Sequence, residues 1–237
     1  MNLEVHFASN IFDEISLREK NIVVIDVLRA STTILTALKN GAREIIPVET
    51  VEKAVKVSGN LYGEVVLRAG ERNGKMIEGF NLGNSPSEYS EEVVKGKSLI
   101  YCSTNGSVAI VKARYAKNLL IGGFANINKV VEFIKNLGED FIILCASKNY
   151  SFSLEDSVCA GMIVEELENE IELNLNDGAI ASKTLYKSNK KSILKMLKNS
   201  NHGKFLIDIG MGDDLPICAE INSIPILPIQ INNSIKL

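Results

Sequence analysis

Three segments of the chain place side chains that bind anions or metals where a strand gives way to a helix. The first is Asp26-Val27-Leu28-Arg29-Ala30-Ser31-Thr32-Thr33. An apolar run from Ile22 to Ile25 ends at Asp26, and Ile34, Leu35 and Leu38 continue a helical face from about Ala30. Ser31, Thr32 and Thr33 then fall in the first helical turn, where unpaired amides and the positive end of the macrodipole favour an anion. Arg29 adds a planar fork of donors matched to phosphate or sulfonate oxygens. Asp26 could hold a metal beside it. The same residues also fit a plain helix start, with Ser31 as the cap and Asp26 paired to Arg29.

The second segment, Tyr101-Cys102-Ser103-Thr104-Asn105-Gly106-Ser107, precedes the helical pattern Val108, Ile110, Val111. Asn105-Gly106 fits a tight turn whose amides and small side chains can approach an oxyanion closely, and equally a turn with no ligand. The third places Glu155 and Asp156 after the apolar run Phe141 to Leu144, at the start of a helix through Val158, Met162, Ile163 and Leu167. Adjacent carboxylates in a strand-end loop suit Mg²⁺, a hard cation that prefers oxygen. Ser153 to Asp156 also has capping-box spacing, in which Asp156 only bonds back to the Ser153 amide. Between the first two segments, Arg68 to Gly74 and Gly79 to Tyr89 are rich in Gly, Asn, Arg and Glu, which predicts a loop covering a ligand. Ser85 and Pro86 are expected to start a helix through Val93 and Val94.

Nucleophile signatures are missing around these residues. Leu28 stands where Asp-x-Asp chemistry needs a second aspartate, and Val108 and Ser151 stand where a Cys-x₅-Arg phosphatase needs arginine after Cys102 and Cys145. No Gly-x₄-Gly-Lys-Ser/Thr loop occurs. Metal-assisted attack by water is therefore favoured over a phosphoenzyme, with Asp26 as covalent nucleophile kept as the other route.

The elements that must position these residues read as an α/β fold. Short apolar runs at Ile22 to Ile25, Ser98 to Tyr101 and Phe141 to Leu144, each followed by a helical pattern, predict buried strands of a largely parallel or mixed sheet in a three-layer α/β/α arrangement. Further strands are expected at Glu44 to Val48, Glu64 to Leu67, Leu119 to Gly122, Phe205 to Ile209 and Ile224 to Leu227. An offset of about 76 residues places Val23 on Leu99, Ser31 on Ser107 and Ile45 on Ile121, so residues 22–60 and 98–136 form two similar strand-turn-helix units. Duplication and independent adoption of one periodicity both explain this. Either way the turns after the first strands are expected on one sheet edge, where open α/β folds bind ligands.

Composition excludes several function classes. The 237 residues are 46% hydrophobic and 23% charged, with a formal charge of −3, the balance of one globular α/β domain. That charge argues against a nucleic-acid surface. The one basic stretch, Lys183 to Lys198, has helical spacing and reads as a solvated face. No window is long and apolar enough for a membrane span and no signal segment is evident, so a cytoplasmic protein without membrane contact is expected. Cys102, Cys145, Cys159 and Cys218 are expected as buried thiols rather than disulfides or zinc ligands, and His6 and His202 are isolated in sequence from other ligands. A homo-oligomer is compatible with the sequence and not specified by it.

Taken in order, V-I-D-V-L-R-A-S-T-T-I (24–34), G-E-R-N-G (70–74), G-F-N-L-G-N-S-P-S-E-Y (79–89), S-T-N-G-S-V-A (103–109), S-L-E-D (153–156) and D-D-L-P-I-C-A (213–219) resemble the 2-phosphosulfolactate phosphatase, or ComB, family of coenzyme M biosynthesis. The resemblance implies Mg²⁺-dependent hydrolysis of 2-phospho-3-sulfolactate to 3-sulfolactate and phosphate. It marks Asp26, Arg29, Ser31, Thr32, Glu71, Arg72, Asn84, Asn105, Glu155 and Asp156 as site candidates, with Thr33 and Gly106 joining them from the two turns. In the arrangement expected, Asp26 with Glu155 or Asp156 holds Mg²⁺, while Arg29 and the Ser31 to Thr33 amides hold the phosphoryl oxygens. Arg72, Asn84 and Asn105 then receive the distal anions of a small substrate. A non-catalytic binding protein for a phosphorylated or sulfonated metabolite, and a purely structural subunit, are the competing readings.

Overall fold

The computed structural model describes residues 1–60, 65–147 and 151–237. In chain order it contains β1 (Asn2–His6), β2 (Asn21–Ile25), α1 (Ala30–Lys39), β3 (Glu44–Pro47), α2 (Val51–Asn60), β4 (Val66–Arg72), β5 (Lys75–Met76), α3 (Glu91–Val94), β6 (Ser98–Cys102), α4 (Gly106–Lys112), β7 (Asn118–Gly122) and α5 (Ile127–Leu137). There follow β8 (Phe141–Cys145), α6 (Leu154–Glu168), β9 (Asn174–Leu175), α7 (Asp177–Asn189), α8 (Ile193–Asn199), α9 (Asn201–Asp208), α10 (Asp214–Ala219), β10 (Ile229–Ile231) and β11 (Ser234–Lys236). All the strands join one mixed sheet in the order β5-β4-β6-β3-β11-β10-β7-β2-β8-β1-β9, with helices on both faces, so the α/β architecture is as expected.

The sheet consists of two parallel blocks. In one, β6 lies between β3 and β4. In the other, β7, β2, β8, β1 and β9 run side by side. The β10–β11 hairpin stitches them through antiparallel contacts, Ile235 opposite Ile45 and Ile229 opposite Leu120. Three antiparallel steps reverse direction, so β2 and β6 run oppositely and their carboxyl ends do not share one edge, contrary to the sequence-based expectation. They meet by another route. Four strands separate β2 from β6, which in a flat sheet would be about 24 Å, yet a Cβ built on Gly106 would lie 2.6 Å from Asp26 Oδ2.

The sheet must therefore curl around what lies between the blocks, and period-2 burial shows what that is. Ile22 and Val24 of β2, Leu119 and Ile121 of β7, and Leu99 and Tyr101 of β6 point into one shared core with Ala30 and Ile34 of α1 and Ala109 and Ile110 of α4. The intervening residues face outward. Val23 and Ile25 pack with α5 and α6, and Ile100 and Cys102 with Ala54 of α2. Burying each of these branched side chains stabilises the fold by roughly 1.5–3 kcal/mol, and the consequence is a fixed approach of α1 to α4.

Several expectations need correction. Phe205 to Ile209 is not a strand: Ser200 accepts the Gly203 amide at 2.9 Å and starts α9 through that segment. A short apolar run carries no period of its own, and the cap decides. Ile224 to Leu227 makes no strand because Pro225 and Pro228 remove ladder donors, and pairing begins only at Ile229. The strand expected from Glu64 begins at Val66, Glu64 lying outside the described residues, and it continues through Arg68 to Arg72, where the sequence predicts loop. Ser85-Pro86 starts a single 3₁₀ turn, Pro86–Glu88, separate from α3. β1 was missed, although Leu3 and Val5 alternate inward. Lys183 and Lys187 do lie on a solvated face, paired with Glu168 and Glu165. All four cysteines are free and buried.

Candidate active site

At the junction of the two blocks a cavity of about 220 Å³ is lined by Asp26, Arg29, Glu71, Asn84, Asn105 and His202, among others. The β2–α1 turn supplies the first two. Asp26 is 8% exposed, and its backbone is locked by Ser31, whose Oγ accepts the Asp26 amide at 2.9 Å while its amide donates to the Asp26 carbonyl at 2.8 Å. Oδ1 accepts the Ala30 amide at 3.3 Å. Burial raises the Asp26 pKa to about 6. His202 opposes that shift, and Glu71 and Glu155 add to it.

Arg29 is not paired with Asp26. Its Nη1 donates to Asp214 Oδ2 at 2.5 Å and its Nη2 to the Gly74 carbonyl at 2.8 Å. Ser31, Thr32 and Thr33 are buried behind the cavity rather than lining it. Their first-turn amides are largely spent, Ser31 on Asp26 and Thr33 on the Arg29 carbonyl, and the Thr33 hydroxyl donates to the Asn84 carbonyl at 2.9 Å. The amide cradle expected here is thus closed by the turn itself.

The β4–β5 hairpin turns at Asn73-Gly74, both at positive φ as a two-residue hairpin requires. Glu71, just before it, accepts the Gly74 amide through Oε2 at 2.8 Å and the Thr104 amide through Oε1 at 2.7 Å, tying the hairpin to the β6–α4 turn. Arg72 points elsewhere. It does not line the cavity, and its guanidinium donates to the carbonyls of Glu71 and Glu49 and to Cys102 Sγ at 3.1 Å. Asn84 lines the cavity while its Oδ1 accepts the Tyr101 hydroxyl. Asn105 lines it from the α4 start, and Gly106 leaves room there, since a Cβ would also sit 2.4 Å from Ala30 Cβ.

Glu155 and Asp156 divide. Ser153 does cap α6, accepting the Asp156 amide at 3.4 Å, but the Asp156 carboxylate does not accept the Ser153 amide as a capping box would. It crosses to the β2–α1 turn, where Oδ1 accepts the Val27 amide at 2.8 Å, and Oδ2 accepts the Ser147 amide at 3.2 Å. Burial, then Asp26 and Glu155, push its pKa well up. Burial also presses on Glu155, yet His202 outweighs it by hydrogen bond and charge and holds Glu155 below the usual carboxylate range. His202 Nδ1 lies 3.3 Å from Glu155 Oε1.

Sequence reading sets Asp26 with Glu155 or Asp156 on the metal, but neither Glu155 nor Asp156 lines the cavity that holds Asp26, and among the described residues no three His, Cys, Asp or Glu side chains gather closely enough to hold a metal ion. A smaller demand is met. Mg²⁺ commonly takes one or two carboxylates and completes its shell with water and substrate oxygens, and the two carboxylates lining this cavity, Asp26 and Glu71, fit that donor set. Sequence reasoning missed His202 and Asp214. The first had no neighbouring ligand in sequence, and the second lay within the quoted D-D-L-P-I-C-A stretch without being singled out.

The family model described as 2-phosphosulpholactate phosphatase matches residues 8–233. A probable 2-phosphosulfolactate phosphatase of Caldanaerobacter subterraneus subsp. tengcongensis is 39% identical over 228 residues, covering 96% of this chain and 95% of that protein. Proteins with the same description from Thermotoga maritima and Clostridium tetani are 40% and 36% identical, over 90% of both chains and 100% of both chains respectively. No helix among the described residues is long and apolar enough to cross a membrane. With this cavity at the meeting of its strand-end turns, the chain belongs to the 2-phosphosulfolactate phosphatase family.

Proposed function

We infer that the chain hydrolyses 2-phospho-3-sulfolactate, or a similarly small phosphoester with further anionic groups, to the alcohol and inorganic phosphate, and that it does so with Mg²⁺. The observation that carries this reading is one cavity lined by Asp26, Glu71 and Arg29 together. Family membership supplies the reaction class.

A phosphate monoester resists attack because its charge repels the nucleophile, so the site must neutralise charge and position water. Arg29 spends N–H groups on Asp214 and Gly74 and has others with which to hold a phosphoryl oxygen. Mg²⁺, held by Asp26 with Glu71 rather than by the Glu155–Asp156 pair, would withdraw further charge from the phosphoryl group. Burial raises the pKa of Asp26 to about 6 in the absence of metal, so it is ionised at neutral pH and free to ligate; it orients the attacking water, whose proton passes to solvent. The ester P–O bond breaks as the new one forms, and the leaving oxygen is protonated from solvent. Asn84 and Asn105 hydrogen-bond the rest of the substrate from the same cavity wall.

The test is phosphate release from a panel of phosphoesters that includes 2-phospho-3-sulfolactate, with Mg²⁺ or with EDTA. Turnover that requires Mg²⁺ is expected. Binding of the sulfonated ester without phosphate release under either condition would replace this reading with that of a binding protein.

A further inference from the structure

Asp214 opens α10 and is 4% exposed, yet it does not line the cavity. A carboxylate so placed is tolerated only when fully paired. Both its oxygens are engaged: Oδ2 accepts from Arg29 Nη1 and Oδ1 from Ser85 Oγ, each at 2.5 Å. Arg29, 2% exposed, is held a second time by the Gly74 carbonyl. That carbonyl belongs to a residue whose amide is in turn bound by Glu71. A planar guanidinium gripped by two fixed acceptors has no rotational freedom left, so its remaining N–H groups keep one direction. Both acceptors are distant in sequence from the arginine they hold, Gly74 by 45 residues and Asp214 by 185.

We propose that Asp214 is a positioning residue for anion recognition: it fixes the guanidinium of Arg29 at the cavity wall, with Ser85 in turn fixing Asp214. The proposal rests on the phosphatase reading only for the anion's identity. A lone structural role for the pair, pinning α10 to the body of the protein, would leave the direction of Arg29 irrelevant to turnover.

Chemical rescue separates the two. Free guanidinium below denaturing concentration is expected to restore phosphate release by the Arg29→Ala variant by ~10-fold or more, and to restore none in Arg29→Ala/Asp214→Asn. Equal rescue in both would overturn the proposal. Asp214→Asn alone is expected to lower kcat/KM by ~100-fold while remaining folded, with Asp214→Glu recovering part of the loss. Unchanged kinetics would also overturn it. A crystal structure of Asp214→Asn reads the claim without any turnover. The Arg29 guanidinium should leave the Gly74 carbonyl, and finding it undisplaced would refute the positioning role even if the phosphatase reading stands. If Asp214→Asn does not fold, Ser85→Ala removes the donor to Oδ1, together with the Ser85–Ser87 hydroxyl contact, while keeping the carboxylate, and is expected to raise KM about threefold. An unaltered KM in that variant would count against the proposal.

Discussion

The β2–α1 and β6–α4 turns share a plan and differ in chemistry. In each, a serine in the helix's first turn receives the amide of the residue that ends the strand or follows it: Ser31 from Asp26, and Ser107 from Ser103, both at 2.9 Å. Where the first turn carries Asp26, Arg29 and Ala30, the second carries Cys102, Asn105 and Gly106. Charged side chains are thus confined to one turn, and the other contributes neutral groups and space. The difference shows how two similar turns serve one cavity: the charged turn would be crowded if its partner did not give way at Gly106.

The largest break in this comparison is Asp26→Asn. It removes the carboxylate at the centre of the charged turn while keeping its shape, and kcat/KM should fall by ~10³-fold or more. Phosphate-release kinetics check this, and a loss below tenfold would move the chemistry to another residue.

Next comes Gly106→Ala, which gives the neutral turn a side chain. The added Cβ would meet Ala30 Cβ at 2.4 Å and Asp26 Oδ2 at 2.6 Å, and helix backbone on both sides prevents easy relief. The starts of α1 and α4 must separate. A stability loss of roughly 1–3 kcal/mol is expected, with a ~100-fold loss of kcat/KM from displacement of Asp26. Denaturation and kinetics measured on one preparation test this, and wild-type values in both would show that the approach is not tight.

How the turns looked in sequence explains what could be anticipated. Short apolar runs and a following helical face located Asp26, Arg29 and Asn105 because those signals are local. The partners of Arg29 and Glu155 were hidden because they are not. Asp214 and His202 arrive on the C-terminal helices, and reading Phe205 to Ile209 as a strand obscured α9. Asp156 misled for a similar reason. Its spacing from Ser153 fitted equally a bond back to the Ser153 amide and a metal ligand, but packing of α6 against β2 presents its carboxylate with the Val27 and Ser147 amides. Opposed directions of β2 and β6 were likewise set by the β10–β11 hairpin, far along the chain.

A third prediction concerns the cost of keeping charge in the first turn. The folded-state pKa of Asp26, about 6, lies above the ordinary 3.8, so the folded protein binds this proton more tightly than the unfolded chain does. Stability from this group is therefore greatest below about pH 4, falls through pH 4–6, and is lowest above that range. Without divalent cation, Asp26→Asn should be more stable than wild type by on the order of 2–3 kcal/mol at pH 7, with the gap closing toward pH 4. Urea denaturation across pH in EDTA measures it. A gap that does not vary with pH would mean that Asp26 is not the group paying for burial.

The smallest effect is expected at Arg72, and it is the sharpest test of where the charged half ends. Its motif made it a natural partner for a sulfonate, whereas the structure turns its guanidinium to the Glu49 carbonyl and Cys102 Sγ, behind the neutral turn. Arg72→Ala should then cost about 1–2 kcal/mol of stability through lost hydrogen bonds. Its kcat/KM should stay within about threefold of wild type on simple and sulfonated phosphoesters alike. Arg29→Ala, by contrast, should impair both by ~100-fold. A loss beyond about tenfold on sulfonated substrates alone would return Arg72 to the cavity and require the β4–β5 hairpin to rearrange when substrate binds. Equal and small losses leave Arg29, held by Asp214, as the arginine that meets the substrate.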